Sequence, residues 1–275
     1  MPPPSERLDA LRARLREEAL ARGGSPRDVD LLLADHLRRS LPWIVAHGDE
    51  LVDADAIRAL LERRLSGEPL QYIRGTTEFY SRDFFVDDRV LIPRPETELL
   101  VEAALARAPR GARVIDVGTG SGCIAVSLAL ERSDLRVVAV DRSVAALAVA
   151  KRNRDALGAR VQLAASNVLS AIDATFDVVV SNPPYIPARD VEELATEVRD
   201  HEPRMALTPG PRGTEVIERI LAEARGALVL LEIGFGQEAD LREVAAAHAY
   251  DVAEVIPDLA AIPRVVVLSA HHGRK

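Results

Sequence analysis

Apolar residues recur at three- and four-residue spacing through roughly the first 75 positions. Leu8, Leu11, Leu15 and Ala19 form one set, Leu31, Leu32, Ala34 and Leu37 a second, and Ile57, Leu60, Leu61 and Leu65 a third. Each set predicts an apolar stripe on one face of a helix. Ser25 with Pro26, and Asp53, suit helix starts: the polar side chain accepts from a free amide of the first turn, where proline needs no donor. The period changes after Gly67. Tyr72-Ile73, Glu78-Phe-Tyr80 and Asp83-Phe-Phe-Val86 are aromatic or β-branched runs broken by Gly75 and polar pairs, which predicts short strands or a hairpin. Tyr72, Phe79, Tyr80, Phe84 and Phe85 are half of all the aromatic residues. They read equally as a small core joining two domains or as a cover over a site.

From about residue 110 the pattern alternates. Strands are predicted at 113–117, 136–140, 161–164, 176–180 and 227–231, with helices near 122–131, 143–157, 212–225 and 237–248. That alternation predicts a mostly parallel sheet with helices on both faces. The runs at 252–256 and 264–268 have no helix between them and predict an antiparallel hairpin.

Length and composition agree with this division. At 275 residues, 48% apolar and 28% charged, the chain suits one large globular domain plus a small one. Its net charge of −8, from 35 Lys and Arg against 43 Asp and Glu, lacks the basic field of a protein that grips nucleic-acid backbone non-specifically. The first 75 residues, with 12 basic against 13 acidic side chains, carry no basic bias either. Cys123 is the single cysteine, so there is no disulfide framework and no CxxC pair for zinc, and it reads as a small packed residue at a helix start. The histidines form no H-x-x-x-H or HExxH pattern, with His271-His272 in a polar tail, and no metal is assigned. Residues 1–7 lack the apolar core of a secretory signal, and no apolar run approaches the ~20 residues of a membrane span, so a cytoplasmic protein is expected.

Two local patterns carry chemistry. Asp116-Val-Gly-Thr-Gly-Ser-Gly122 follows a predicted strand and opens a helix, placing Gly118, Thr119, Gly120, Ser121 and Gly122 where a backbone can turn sharply and a ligand can approach its amides. A dinucleotide fingerprint, counted from Gly118, meets Cys123 at its last glycine position. The loop instead fits a cofactor without a pyrophosphate. Asp141 ends the next strand and can accept both hydroxyls of a ribose, so loop and acid together point to an adenosine-containing cofactor.

Asn182-Pro183-Pro184-Tyr185 discriminates further. The prolines fix the backbone and remove two donors, leaving carbonyl oxygens as acceptors; Asn182 adds another acceptor and Tyr185 a flat ring. That set suits a planar –NH2 group, its hydrogens on Asn182 and the Pro183 carbonyl, its plane on Tyr185.

With these motifs the chain resembles class I S-adenosylmethionine-dependent N-methyltransferases. More narrowly it resembles the HemK/PrmC family, which methylates the glutamine side chain in the Gly-Gly-Gln motif of peptide chain release factors. The likeness also covers Gly67-Glu-Pro-Leu-Gln-Tyr-Ile-Arg-Gly75, Leu91-Ile-Pro-Arg-Pro-Glu-Thr-Glu98, Glu202-Pro203 and Leu231-Glu-Ile-Gly234. It implies a Rossmann-like α/β fold with a seven-stranded, mostly parallel sheet. It further implies a helical substrate-binding domain at 1–75, a β-hairpin linker at 76–94 and a catalytic domain at 95–275. Asn182, Pro183 and Tyr185 would be catalytic. Gly118, Thr119, Gly120, Ser121, Gly122, Asp141, Asn167, Val168 and Asn182 would hold S-adenosylmethionine, and Pro184, Arg94 and Glu96 would join the substrate site. The implied partner is a release factor, met by a monomer that binds no nucleic acid stably. Two positions depart from the family pattern: Asn167-Val168 replaces an Asp followed by a larger apolar residue, and Ala261 stands where Gly is usual. The alternative is an adenine-N6 methyltransferase of DNA or RNA, whose target –NH2 has the same shape. A nicotinamide oxidoreductase is disfavoured by Cys123 and by Asn182-Pro-Pro-Tyr185, and a non-catalytic module by the intact Gly118, Gly120, Asp141 and Asn182.

Overall fold

The computed structural model describes residues 5–271; the start of the Pro-rich segment and His272 of the polar tail lie outside the described residues. The chain divides into two compact units, one running up to Gly75 and including Thr196–His201, the other comprising Thr76–Ala195 and the chain from Glu202 onward.

The first unit contains strand β1 (Ser5–Arg7), helices α1 (Leu8–Ala21), α2 (Pro26–Leu37) and α3 (Leu41–Ala46), strand β2 (Leu51–Asp53), and helices α4 (Ala54–Leu65) and α5 (Leu70–Arg74). The predicted stripes meet in its core, where Leu8, Leu11 and Leu15 of α1 pack with Val29 and Leu33 of α2 and Ile57 and Leu61 of α4. Ser25 and Asp53 cap α2 and α4, the Asp53 carboxylate accepting from the amides of Asp55 and Ala56. Two features differ from the sequence reading. A short antiparallel ribbon pairs Ser5 with Asp53. Tyr72-Ile73, expected as a strand, lies in α5, because Pro69 starts that turn and Gly75, left-handed at φ 70°, ends it. Local capping outweighs the β preference of the two side chains.

The second unit opens with a hairpin of β3 (Thr76–Phe79) and β4 (Arg82–Phe85). Its two turn residues, Tyr80 and Ser81, both have positive φ, which matches the twist of the strands they join. Phe79 and Phe84 meet edge to face at 6.0 Å and are buried in the main core. There follow α6 (Glu98–Arg107), β5 (Arg113–Val117), α7 (Cys123–Glu131), β6 (Arg136–Asp141), α8 (Val144–Leu157), β7 (Val161–Ala165) and β8 (Val178–Ser181). Helix α9 (Thr196–His201) belongs to the first unit, where Glu197 pairs with Arg64 at 2.7 Å. The chain then forms α10 (Arg204–Leu207), α11 (Glu215–Glu223), β9 (Leu228–Glu232), α12 (Glu238–Ala247), β10 (Tyr250–Pro257) and β11 (Pro263–Ala270).

Seven strands make one sheet in the order β10-β11-β9-β8-β5-β6-β7. β11 is antiparallel to both its neighbours, and the remaining pairings are parallel. Both faces are covered, so successive residues enter opposite cores: Val114 packs with Leu128 and Val137 on one side, Ile115 with Val140 and Ile220 on the other. In the β10–β11 turn Ala261 is left-handed at φ 61°, a conformation that glycine adopts more readily, and Asp258 holds the turn by accepting from the amides of Ala260 and Ile262. Among the described residues no helix is long and apolar enough to cross a membrane.

Asn153, 2% exposed on α8, ties the hairpin to the glycine turn that follows β5. Its Nδ2 donates to the carbonyls of Phe85 (2.9 Å) and Ser121 (2.8 Å), and its Oδ1 accepts from the Phe85 amide (2.8 Å). Asn153→Leu leaves the buried Ser121 carbonyl and the two part-buried backbone groups of Phe85 without this partner, and a buried group left unpaired costs about 1–3 kcal/mol. Urea unfolding should therefore show stability fall by at least about 1–3 kcal/mol, and a variant as stable as the parent would contradict this role.

Candidate active site

Strands β8, β5 and β6 lie side by side and parallel, so the turns leaving their carboxyl ends open on one edge of the sheet. The glycine turn leaves β5, Asp141 ends β6, and Asn182 follows β8 directly.

The amides of Gly118 and Thr119 both donate to the Val140 carbonyl, at 2.9 and 3.0 Å. Gly120, left-handed at φ 54°, donates its amide to Asp141 Oδ2 at 3.0 Å. The other Asp141 oxygen accepts from the Ser143 amide at 2.8 Å. One lone pair of each oxygen is so engaged, and a second on each remains for a ligand. Thr119 Oγ1 donates to Asp116 Oδ2 at 2.6 Å and fastens the turn from below. Asp116 is fully buried; burial pushes its carboxyl up to about 7, with the nearby charge of Asp141 acting in the same direction and the Thr119 hydroxyl opposing.

Asn182 is placed by a buried chain of hydrogen bonds. Its Nδ2 donates to Thr97 Oγ1 at 3.1 Å, and Thr97 Oγ1 donates to Glu232 Oε2 at 2.6 Å. The end of β8 is anchored too, since Ser181 Oγ donates to the Val117 carbonyl at 2.6 Å. The Tyr185 carbonyl accepts from Gln237 Nε2 at 2.7 Å, and burial pushes its phenol up to about 12.

One cleft brings together Gly118, Thr119, Gly120, Ser121 and Asp141 with Asn167 and Val168 on one flank and Arg94, Asn182, Pro183 and Pro184 on the other. Three expected site residues do not line it. Gly122 caps α7, and a Cβ there would stand 3.2 Å from Ala150 Cβ, so its place is one of close helix packing. Tyr185, expected to stack on the substrate, packs its ring against Gly234, where a Cβ would come within 2.9 Å. Glu96 is half-buried outside that lining, and its charge is felt by Glu232 and Arg264. Arg94 donates to Glu202 Oε1 at 2.6 Å, joining two segments of the family pattern. Asn167 Oδ1 accepts from Arg219 at 2.8 Å. Val168 is left-handed at φ 59°, a strained state for a β-branched residue. Burial pushes the Cys123 thiol up to about 12, consistent with a packing residue.

Thr97 and Glu232 stand in two segments of the family likeness, 91–98 and 231–234, but the motif reading gives neither a role of its own. Glu232 carries a weak signal of its own, a lone charge closing an otherwise apolar strand, but nothing in the sequence pairs it with Thr97.

The cleft suits a nucleoside. A Cβ at Gly118 or Gly120 would meet no atom within 4 Å, leaving room beside the turn, while Asp141 offers lone pairs for ribose hydroxyls and Val168 an apolar wall. Such a cleft on this sheet, followed by Asn182-Pro-Pro-Tyr185, defines a class I S-adenosylmethionine-dependent methyltransferase. Residues 94–237 match the methyltransferase small domain, and residues 6–75 match the PrmC N-terminal domain. The release factor glutamine methyltransferase of Koribacter versatilis is 42% identical over 91% of this chain and 92% of its own. That of Neisseria gonorrhoeae is 46% identical over 80% of this chain and 84% of its own. A methyltransferase structure from Pyrococcus furiosus superposes with a TM-score of 0.53, at 18% identity, over 76% of this chain and 96% of that one, a likeness of fold. The chain belongs to the release factor glutamine methyltransferase family.

Asp116 generates a pH test. Its carboxyl is raised from an ordinary value near 3.8 to about 7, so whatever stability it contributes is complete below pH 4 and is lost as pH rises through 7. Asp116→Asn removes that titration. Whatever its constant offset, the variant should gain stability relative to the parent by on the order of 1–3 kcal/mol between about pH 5 and about pH 7, then level off. Urea unfolding across that range checks it; a difference independent of pH would contradict the assignment.

Proposed function

We propose that the protein transfers a methyl group from S-adenosylmethionine to the side-chain amide nitrogen of the glutamine in the Gly-Gly-Gln motif of peptide chain release factors. In this reading Asn182 and Pro183 hold the amide. The observation that carries it is the hydrogen bond from Asn182 Nδ2 to Thr97, which leaves the carboxamide oxygen of Asn182 for the cleft.

When bound, the cofactor supplies a sulfonium whose methyl group is already electrophilic. The difficulty lies with the nucleophile, because an amide nitrogen shares its lone pair with its carbonyl. Asn182 Oδ1 and the Pro183 carbonyl each accept one hydrogen of the substrate –NH2. That aims the nitrogen for in-line displacement and draws electron density onto it as the N–H bonds polarise. Pro184 has no N–H to compete for those acceptors. Asp141 binds the ribose hydroxyls, and the Gly118–Ser121 turn with Asn167 and Val168 encloses the rest of the cofactor. No strong general base is needed: once methylated, the nitrogen is cationic and sheds its proton readily. Arg94 with Glu202 borders the substrate side. The helical domain at 1–75 holds the release factor and the segment 76–94 links it to the catalytic domain, a division supported by the PrmC N-terminal domain match over 6–75. The net charge of −8 supports a protein substrate over a nucleic acid, and the protein acts in the cytoplasm.

Mass spectrometry of a release factor incubated with the protein and S-adenosylmethionine should show a one-methyl gain on the Gly-Gly-Gln glutamine. Methyl transfer to DNA or RNA instead, with the release factor unmodified, would replace this reading with the adenine-N6 one. Asn182→Ala should lower turnover by about 100-fold or more with cofactor affinity nearly unchanged, the loss expected for an interaction made in the transition state. Asp141→Ala should do the reverse, weakening cofactor binding by about 10-fold or more at the cost of a charge-assisted hydrogen bond. Calorimetry of both variants separates the two roles, and a swapped pattern would sink them.

A further inference from the structure

We infer that Thr97 and Glu232 are positioning residues that decide which way round the Asn182 carboxamide stands, Glu232 acting through the Thr97 hydroxyl and by accepting from the Asn182 –NH2 itself. The inference rests on the methyltransferase reading of Asn182 and adds the device that makes Asn182 an acceptor.

Thr97 and Glu232 are each only 2% exposed, so water does not compete for their hydrogen bonds. A hydroxyl has a single proton. When Thr97 Oγ1 donates to Glu232 Oε2 at 2.6 Å, only its lone pairs are left for Asn182, and only the –NH2 end of the carboxamide can meet them, as it does at 3.1 Å. The oxygen of Asn182 is thereby turned toward the cleft, where an incoming –NH2 needs an acceptor. Protonation of Glu232 reverses the order. The acid then donates to Thr97, Thr97 donates onward, and a carboxamide rotated by about half a turn fits equally well. Its –NH2 would then face the substrate –NH2, donor against donor.

The surroundings of Glu232 place this choice near neutrality. Burial is the largest influence and raises its carboxyl to about 7; Thr97, Arg264 and Asn182 favour the charged form, and Glu96 opposes it. Tyr185 and Cys123, which also feel the charge of Glu232, are both held at about 12 and stay neutral throughout. With the acid raised to about 7, the ionised and productive arrangement is lost as pH falls through that value. Turnover should therefore carry an acid limb with a midpoint near 7.

The test has two readouts. In cofactor-free protein labelled with 13C-Glu and 15N-Asn, NMR should show the Glu232 carboxyl and the Asn182 carboxamide moving together with one midpoint. In Glu232→Gln the Asn182 signal should no longer respond over that range. This measurement needs no methyl transfer, so it decides the inference even if the release factor is the wrong substrate. With a working substrate, Thr97→Val should reduce kcat at least tenfold with the cofactor KM unchanged, and Thr97→Ser should recover most of it. Glu232→Gln keeps an acceptor for Thr97, so it should lose the acid limb and run below the parent's alkaline plateau. An Asn182 signal that ignores the Glu232 titration overturns the inference, as does an acid limb that Glu232→Gln leaves in place when Asp116, the other buried carboxyl near 7, is also changed to Asn. If Thr97→Val fails to fold, the parent NMR titration and Glu232→Gln still decide it.

Discussion

The cleft depends on one constraint: strands β8, β5 and β6 are neighbours and parallel. Residues far apart in the chain reach the same edge of the sheet only because the backbone ladder fixes those three carboxyl ends next to each other. The turns are then locked to one another by direct bonds. The Val140 carbonyl takes two amides of the glycine turn, Asp141 takes a third, and Ser181 reaches across to Val117. A ligand therefore meets a surface whose shape is set before it arrives, which lowers the ordering cost of binding.

Three carboxylates lie around this edge, and their partners give them different work. Asp141 is bonded to two backbone amides and keeps lone pairs for a ligand. Asp116 has no access to solvent and supports the turn through Thr119. Glu232, at the end of β9, is equally enclosed but connects through Thr97 to Asn182, which lines the cleft. Burial raises the last two toward neutrality, so the acid that opens on the cleft and the acids enclosed behind it differ in environment more than in type.

Much of this is legible in the sequence because it is local. A strand buried on both faces must be a run of Val, Ile, Leu and Ala, and its alternation with amphipathic helices leaves few architectures. The glycine turn, Asp141 and Asn182-Pro-Pro-Tyr185 are each contained in a few consecutive residues. What is hidden is either too short or too distant. β1 and β2 have three residues each, too few to display a period. Tyr72-Ile73 misleads because side-chain preference points one way and the flanking Pro69 and Gly75 the other. Thr97 lies 85 positions from Asn182 and 135 from Glu232, and no spacing rule joins residues across such gaps. Gly122 and Tyr185 sit within the right motifs, but packing against Ala150 and Gly234 turns them from the cleft.

The helical unit is not made from one continuous stretch of chain, since Thr196–His201 completes it after about 120 residues of the other unit have intervened. On the ribosome, where synthesis proceeds at about 5–20 residues per second, α9 arrives roughly 6–24 seconds after Gly75. Through that interval Arg64 has its bond to Asp28 but not its partner Glu197. Birth order alone thus cannot finish the amino-terminal unit before the other has begun: its last helix is supplied only after β5 to β8 have been synthesised, and β9 to β11 follow it.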